Sequence, residues 1–192
     1  MKYHNITKAD MLNGEGLRVV LWVSGCSHKC PGCQNALTWD PNDGINFDDN
    51  AIKEIYHELE QDWCSGITLS GGDPLFLGNR KMIRDLVTNI RELYPTKTIW
   101  CYTGYTWEEL IAQMEVDKNL ADILTNIDVL LEGKFVLSQK EDKLHYVGSA
   151  NQRIIDVPKS LNEERVVLYI DNNKIYEEAC HQKEIAACTA NS

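Results

Sequence analysis

Cys26, Cys30 and Cys33 place three thiols within eight residues, as C-x3-C-x2-C, on a segment rich in Gly, Pro, Asn and Asp that reads as a loop. Thiolates are soft donors that favour iron–sulfur clusters, zinc or copper(I). A structural zinc site closes with four ligands, usually as paired C-x2-C units, and the second pair is missing here. An electron-carrying four-iron cluster also takes four cysteines. Three cysteines leave one iron of such a cluster without a protein ligand, and an open coordination position is where a reacting molecule binds. On spacing alone, a catalytic cluster, a zinc site and a redox pair all stay open. His28 reads as a hydrogen-bond donor beside the ligands, or as a plain loop residue, rather than as a ligand. Of the seven cysteines, the other four are scattered. Cys64 and Cys101 read as buried small hydrophobes. Cys180 and Cys188 are either incidental thiols or, with His181, a small zinc site.

The thiols follow a strand-like run, Leu17–Ser24, that stops at Gly25. Asp48–Gln61 reads as a helix with Asp48 or Asp49 as its cap and Ile52, Ile55, Tyr56 and Leu59 at helical spacing. Gly66–Ser70 is a strand ending in Gly71-Gly72, and Asn79–Leu93 a helix with Ile83, Leu86, Val87 and Ile90 on one face. Lys97–Thr103 is a strand, Trp107–Glu115 a helix and Ile127–Leu131 a strand. Further on, a hairpin is expected around Asp142, strands at Arg153–Val157 and Arg165–Ile170, and a helix over Lys174–Ala187. Strands alternating with helices predict an α/β fold with a mainly parallel sheet. In such sheets ligands sit at the carboxyl ends of the strands. The thiol loop, Gly71-Gly72-Asp73-Pro74, Tyr102-Thr103-Gly104 and Glu132-Gly133-Lys134 each follow a predicted strand, so one mouth of the sheet collects the chemistry.

Apolar residues make up 43% and charged residues 25% of the 192 positions, the globular range. No apolar run approaches the roughly 20 residues that span a bilayer, so no membrane association is expected. Met1-Lys2-Tyr3-His4 lacks the regions of a secretory signal, which makes the cytoplasm the expected compartment. With a formal net charge of −10 and no cluster of Lys and Arg, nucleic-acid binding is not expected.

C-x3-C-x2-C after the first strand resembles the signature of the radical S-adenosylmethionine enzymes, and Gly71-Gly72-Asp73-Pro74 resembles their Gly-Gly-Glu-Pro element. Asn13-Gly14-Glu15-Gly16-Leu17-Arg18 is similar to the leading motif of the glycyl-radical activating enzymes. Within that group, the activators of anaerobic ribonucleotide reductases are resembled by Gly25-Cys26-Ser27-His28-Lys29-Cys30-Pro31-Gly32-Cys33, Thr38-Trp39, Ser70 to Leu75, Trp100 to Tyr105, Leu131 to Phe135 and Gly148 to Arg153. These blocks run in family order to Arg153, and beyond Pro158 no resemblance is found. The resemblance implies an incomplete TIM-like βα barrel of the radical S-adenosylmethionine type over residues 1–158, with 159–192 as an extension of unknown role.

The implied reaction uses a [4Fe-4S] cluster held by Cys26, Cys30 and Cys33, with S-adenosylmethionine bound at the open iron. One electron splits off methionine, and the resulting 5′-deoxyadenosyl radical takes a hydrogen from a backbone glycine of the large catalytic subunit of the reductase. An electron donor such as flavodoxin is implied as a second partner. Gly71 and Gly72 offer bare backbone to the cofactor's amino-acid end. Asp73 stands where the family more broadly has Glu, and either accepts from the cofactor's ammonium group or caps the next turn. The resemblance places backbone contacts to the cofactor at Gly32, Cys33 and Gln34. Gly32 replaces an aromatic residue common before the third cysteine, so adenine packing must come from elsewhere. Tyr102 and Thr103 either line the pocket or pack in the core. Glu132 and Lys134, two apart on an extended chain, would share a side and meet the cofactor or form a surface pair. Asn151 and Arg153 face the cofactor, the partner's glycyl loop or solvent. The competing functions are activation of a formate-lyase-type enzyme, a small electron carrier and a zinc-stabilised interaction module.

Overall fold

The computed structural model describes residues 1–172. Its elements are β1 (Lys2–Asp10), β2 (Leu17–Val23), β3 (Ile45–Asn46), α1 (Asp49–Leu59), β4 (Cys64–Gly71), α2 (Arg80–Leu93), β5 (Thr98–Tyr102), α3 (Trp107–Met114), α4 (Lys118–Leu124), β6 (Val129–Glu132), β7 (Arg153–Asp156), α5 (Val157–Asn162) and β8 (Leu168–Ile170). The strands form one open sheet in the order β3-β1-β2-β4-β5-β6-β7-β8.

The expectation of a mainly parallel sheet needs correcting. β2, β4, β5 and β6 run parallel, but both flanks are antiparallel, so four of the seven pairings among the described residues are antiparallel. The reason lies in the connections. A parallel neighbour needs a crossover, and α1, α2 and the α3–α4 pair supply the three that exist. β1 reaches β2 through the short 11–16 loop, and no α-helix separates β6 from β7, so these pairs fold back. Lys140 bridges Ser149 in antiparallel fashion across the turn expected around Asp142.

Period-two alternation gives the sheet two different faces. Val19, Leu21 and Val23 of β2, Ile67 and Leu69 of β4, and Ile99 and Cys101 of β5 pack under the helices with Ile55, Leu59, Ile83, Ile90 and Leu110. Each such fully buried aliphatic side chain stabilises the fold by about 1.5–3 kcal/mol. On the opposite face, Trp100, Val129, Leu131 and Ile154 form a smaller cluster with Val147. Arg18 closes the amino-terminal end of that face. Its guanidinium is fully buried and donates to Thr68 Oγ1, Thr98 Oγ1 and the carbonyls of Glu15, Ile67 and Thr98 at 2.7–3.1 Å. Burial pushes its pKa down to about 10.

α1, α3 and α4 begin where local chemistry says they should. Asp48 accepts the amides of Asn50 and Ala51 to cap α1, and Thr106 and Glu109 form a reciprocal capping box on α3. Asp117 caps α4 by accepting Leu120 N at 3.2 Å and also takes Arg80 Nη1 at 2.8 Å. Arg80, 4% exposed, further donates to Leu75 O and Gln113 Oε1 and lies over the Tyr105 ring. Burial raises the Asp117 carboxyl, but the Arg80 bond and the α4 amides outweigh it and hold the pKa below the usual value. Asp117→Ala should therefore cost about 2–3 kcal/mol at pH 7, from a lost cap plus the loss of one of the three acceptors of the buried Arg80 guanidinium. A depressed folded pKa stabilises above the unfolded value and is lost as pH falls through the folded one. Urea titrations of the two proteins should accordingly differ most at pH 7 and draw closer as the pH falls through the carboxylate range.

Candidate metal centre and the cavity beside it

The thiol loop leaves β2 at Gly25, whose φ of +98° is left-handed and which an added Cβ would crowd to 2.9 Å from the Phe76 ring. Gly25 N donates to Thr38 O at 2.8 Å and Cys26 N to Trp39 O at 3.1 Å, so the two ends of the loop are laced together. Cys33 N donates to Cys30 O at 3.1 Å, which turns the chain between the last two thiols. Cys26, Cys30 and Cys33 are all unpaired and half-buried. The Cys26 sulfur accepts backbone N–H bonds from His28 and Lys29, and the Cys33 sulfur accepts Asn35 N at 3.4 Å. Burial pushes the Cys26 thiol up while those amides favour its thiolate.

Among the described residues, no three Cys, His, Asp or Glu side chains close around a point as a single bound ion requires. A cluster whose irons each take one thiolate needs no such convergence. Soft sulfurs, partial burial and N–H groups aimed at sulfur fit that kind of group.

Beside the loop lies a cavity of about 570 Å³, lined by Trp22, Cys33, Gln34, Ser70, Tyr102, Phe135, Tyr146 and Gln152 among others. That volume suits a nucleoside-sized ligand. Trp22, Ser70 and Tyr102 come from the carboxyl-terminal parts of β2, β4 and β5, and the Trp22–Ser70 register sets two of them side by side. Tyr102 Oη donates to Tyr146 O at 2.7 Å, and burial pushes its phenol well up, so it stays neutral. Gln152 accepts the amides of Gly148 and Ser149 and donates to Gly133 O at 2.9 Å, fastening together the two loops of the far wall. The Phe135 ring lies beside both Gly32 and Gly148, 3.5 and 3.2 Å from where a Cβ on each would be.

Residues 12–155 match the family described as a 4Fe-4S single cluster domain. The chain is 42% identical over 154 residues to a protein of Enterobacteria phage T4, covering 80% of this chain and 93% of that one. It is 44% identical over 155 residues to one of Escherichia coli K12, covering 79% and 96%. With one of Haemophilus influenzae the identity is 40% over 156 residues, covering 80% and 97%. Each of these three is an anaerobic ribonucleoside-triphosphate reductase-activating protein. The chain belongs to this family.

In this member of the activating-protein family, Cys33, Gln34 and Tyr102 line the cavity, and Gly32 lies one residue from it. Gly71, Gly72 and Asp73 are not among the cavity's lining residues, although Ser70 is. The bareness of the two glycines serves the chain itself. A Cβ on Gly71 (φ +100°) would come within 2.7 Å of Val23 backbone, and one on Gly72 within 2.5 Å of Gly25 O. Gly72 N and Asp73 N donate to Val23 O and Gly25 O, both at 2.8 Å. Asp73 is 1% exposed, and its carboxylate accepts Leu75 N, Gly104 N, the Thr103 hydroxyl and His28 Nε2.

Gly133, at φ +98°, breaks the extended alternation between Glu132 and Lys134. Glu132 is buried and bonded to Arg153 Nε, Arg153 in turn reaches Glu108, and Lys134 is exposed. Burial raises the Glu132 carboxyl against the pull of Arg153. Neither Glu132 nor Lys134 lines the cavity. Asn151 holds the far wall by donating to Lys134 O. Cys64 and Cys101 are buried. Cys180, His181, Cys188 and the helix expected over Lys174–Ala187 lie outside the described residues. Phe135, Tyr146 and Gln152 had no expected role, although Phe135 and Gln152 sit inside motif blocks of the family resemblance.

Proposed function

We propose that this chain is a radical S-adenosylmethionine oxidoreductase that generates a glycyl radical on the large catalytic subunit of an anaerobic ribonucleotide reductase. The observation that carries the reading is Cys33. It is the third thiol of the cluster loop and also a wall of the cavity, so a molecule in the cavity lies against the metal centre. Family membership and the names of the relatives supply the partner.

Cys26, Cys30 and Cys33 would hold a [4Fe-4S] cluster, with S-adenosylmethionine in the cavity beside Cys33. When bound, the reduced cluster supplies the electron that cleaves the sulfonium, releasing methionine and the 5′-deoxyadenosyl radical that takes the glycine hydrogen. The chain's own residues orient and shield. Gly32 and Gln34 present backbone beside the third thiolate. Phe135, whose ring lies against Gly32, provides the flat apolar surface that adenine needs. Tyr102, fixed by its bond to Tyr146 O, forms a wall of the cavity. Glu132 is engaged by Arg153 and the Lys134 carbonyl by Asn151, both away from the cavity, and Asp73 acts as described below. The parallel strands β2, β4, β5 and β6 form the core of an incomplete βα barrel, whose open side admits the partner's glycine loop. An electron donor such as a reduced flavodoxin serves the cluster.

The reading is tested by mixing the reduced, cofactor-loaded protein with the large subunit of an anaerobic ribonucleotide reductase or with a formate-lyase-type enzyme. A glycyl radical signal in the paramagnetic resonance spectrum of the reductase is expected. A signal on the formate-lyase-type enzyme alone would overturn the partner assignment.

A further inference from the structure

Among the described residues between Cys26 and Cys33, His28 has the only side chain hydrogen-bonded to the body of the protein. Its ring is 6% exposed, and Nε2 lies 2.8 Å from Asp73 Oδ2. A carboxylate only accepts, so Nε2 carries the hydrogen. Asp73 is itself held on both oxygens. Its Oδ1 accepts Leu75 N at 2.8 Å and Thr103 Oγ1 at 3.0 Å, and its Oδ2 accepts Gly104 N at 3.1 Å. The imidazole also fills a slot shaped for it. A Cβ on Gly104 would come within 2.4 Å of the ring, and Tyr105 meets the ring edge-on with centroids 4.5 Å apart. Tyr105 is backed in turn by the buried Arg80 guanidinium.

We propose that His28 is a positioning residue that, through Asp73, fastens the thiol loop to the ends of β4 and β5 before any metal arrives. His28 sits two residues from both Cys26 and Cys30, so holding its ring fixes the chain between the first two sulfurs. The same anchor aims the His28 and Lys29 amides at the Cys26 sulfur and holds Lys29 in its left-handed backbone conformation, φ +48°. Preset donors lose less ordering entropy when the cluster enters. The consequence for the cluster rests on the reading of the thiols as its ligands; the fastening of the loop does not.

The test uses the whole chain with His28→Ala and His28→Gln, because the Gln amide nitrogen can occupy the place of Nε2. Hydrogen–deuterium exchange on the metal-free proteins should show the 26–33 segment of His28→Ala opening about tenfold faster than wild type, with β4 and α2 unchanged. After anaerobic reconstitution, His28→Ala should lose iron to a chelator about 10- to 100-fold more readily, and His28→Gln should recover much of both properties. Wild-type exchange in His28→Ala overturns the proposal, as does an equal failure of both variants accompanied by a global loss of protection. Should His28→Ala fail to fold, Gly104→Ala decides, since its methyl displaces the ring without touching a cysteine; a 26–33 segment that stays protected there also overturns the proposal. A wild-type protein that takes up no iron would refute the cluster reading while leaving the exchange result to judge the tether.

Discussion

Cys26→Ala is expected to fold, to bind iron at no more than about a tenth of the wild-type level and to leave S-adenosylmethionine intact. All three proposed ligands come from one loop, so two remaining thiolates cannot hold three irons of a cubane. Removing this side chain touches little of the fold. Cys26 is half-buried, and its sulfur's partners are two amides that water can serve instead. The stability cost should therefore stay near 1 kcal/mol. Iron and sulfide analysis, the visible absorbance of the reconstituted protein and a melting curve of the metal-free protein report the three expectations separately. Cofactor cleavage retained in Cys26→Ala would contradict the ligand assignment, and collapse of the metal-free protein would show that the thiol serves the fold.

Gly72→Ala is expected to damage the site nearly as much without altering a ligand. The new methyl would lie 2.5 Å from Gly25 O and 2.9 Å from Thr38 O, both rigid backbone atoms. Those two carbonyls belong to the laced ends of the thiol loop, where Gly25 N meets Thr38 O and Asp73 N meets Gly25 O. Relief requires the loop to move away from β4, and a displacement of about 1 Å at reacting groups costs on the order of 10²-fold in rate. The stability loss should be about 1–3 kcal/mol, the usual range for overpacking. Gly78→Ala is the control, because its methyl would meet only the Phe76 side chain, at 3.0 Å. Cleavage rate and iron content should fall in Gly72→Ala and stay close to wild type in Gly78→Ala. Wild-type values in Gly72→Ala would show that the loop is not seated on β4 as described.

The parts of this fold that could be read directly from sequence are those set by local rules. α1, α2 and α3 carry apolar residues at helical spacing, and Asp48 does cap α1. β1 carries no strand pattern in the sequence because only Ile6 of its residues is buried, so the run reads as polar. α4 is seven residues long, too short for its Leu120, Ile123 and Leu124 spacing to stand out. Strand direction at the flanks depends on what lies between strands, which periodicity does not encode, and that is why the antiparallel edges were not foreseen. In the site, residue type alone singled out the three thiols, and position after a strand singled out Tyr102. Phe135, Tyr146 and Gln152 reach the cavity only because the 133–152 segment folds back over it, a long-range event with no local mark. Glu132 and Lys134 show the opposite problem: two-residue spacing suggested a shared side, but Gly133 turns the chain between them. His28 reads from sequence as a hydrogen-bond donor or a plain loop residue, and only the fold, by bringing Asp73 to it, supplies the acceptor.

Under the proposed function, a metal centre on Cys26, Cys30 and Cys33 cleaves a sulfonium cofactor seated beside Cys33. Anaerobic incubation of the reconstituted protein with dithionite and S-adenosylmethionine, followed by quantitation of 5′-deoxyadenosine, tests it most directly. Wild-type protein should yield 5′-deoxyadenosine and methionine in equal amounts, and Cys26→Ala neither. Iron-loaded, reduced wild-type protein that leaves S-adenosylmethionine whole would contradict it.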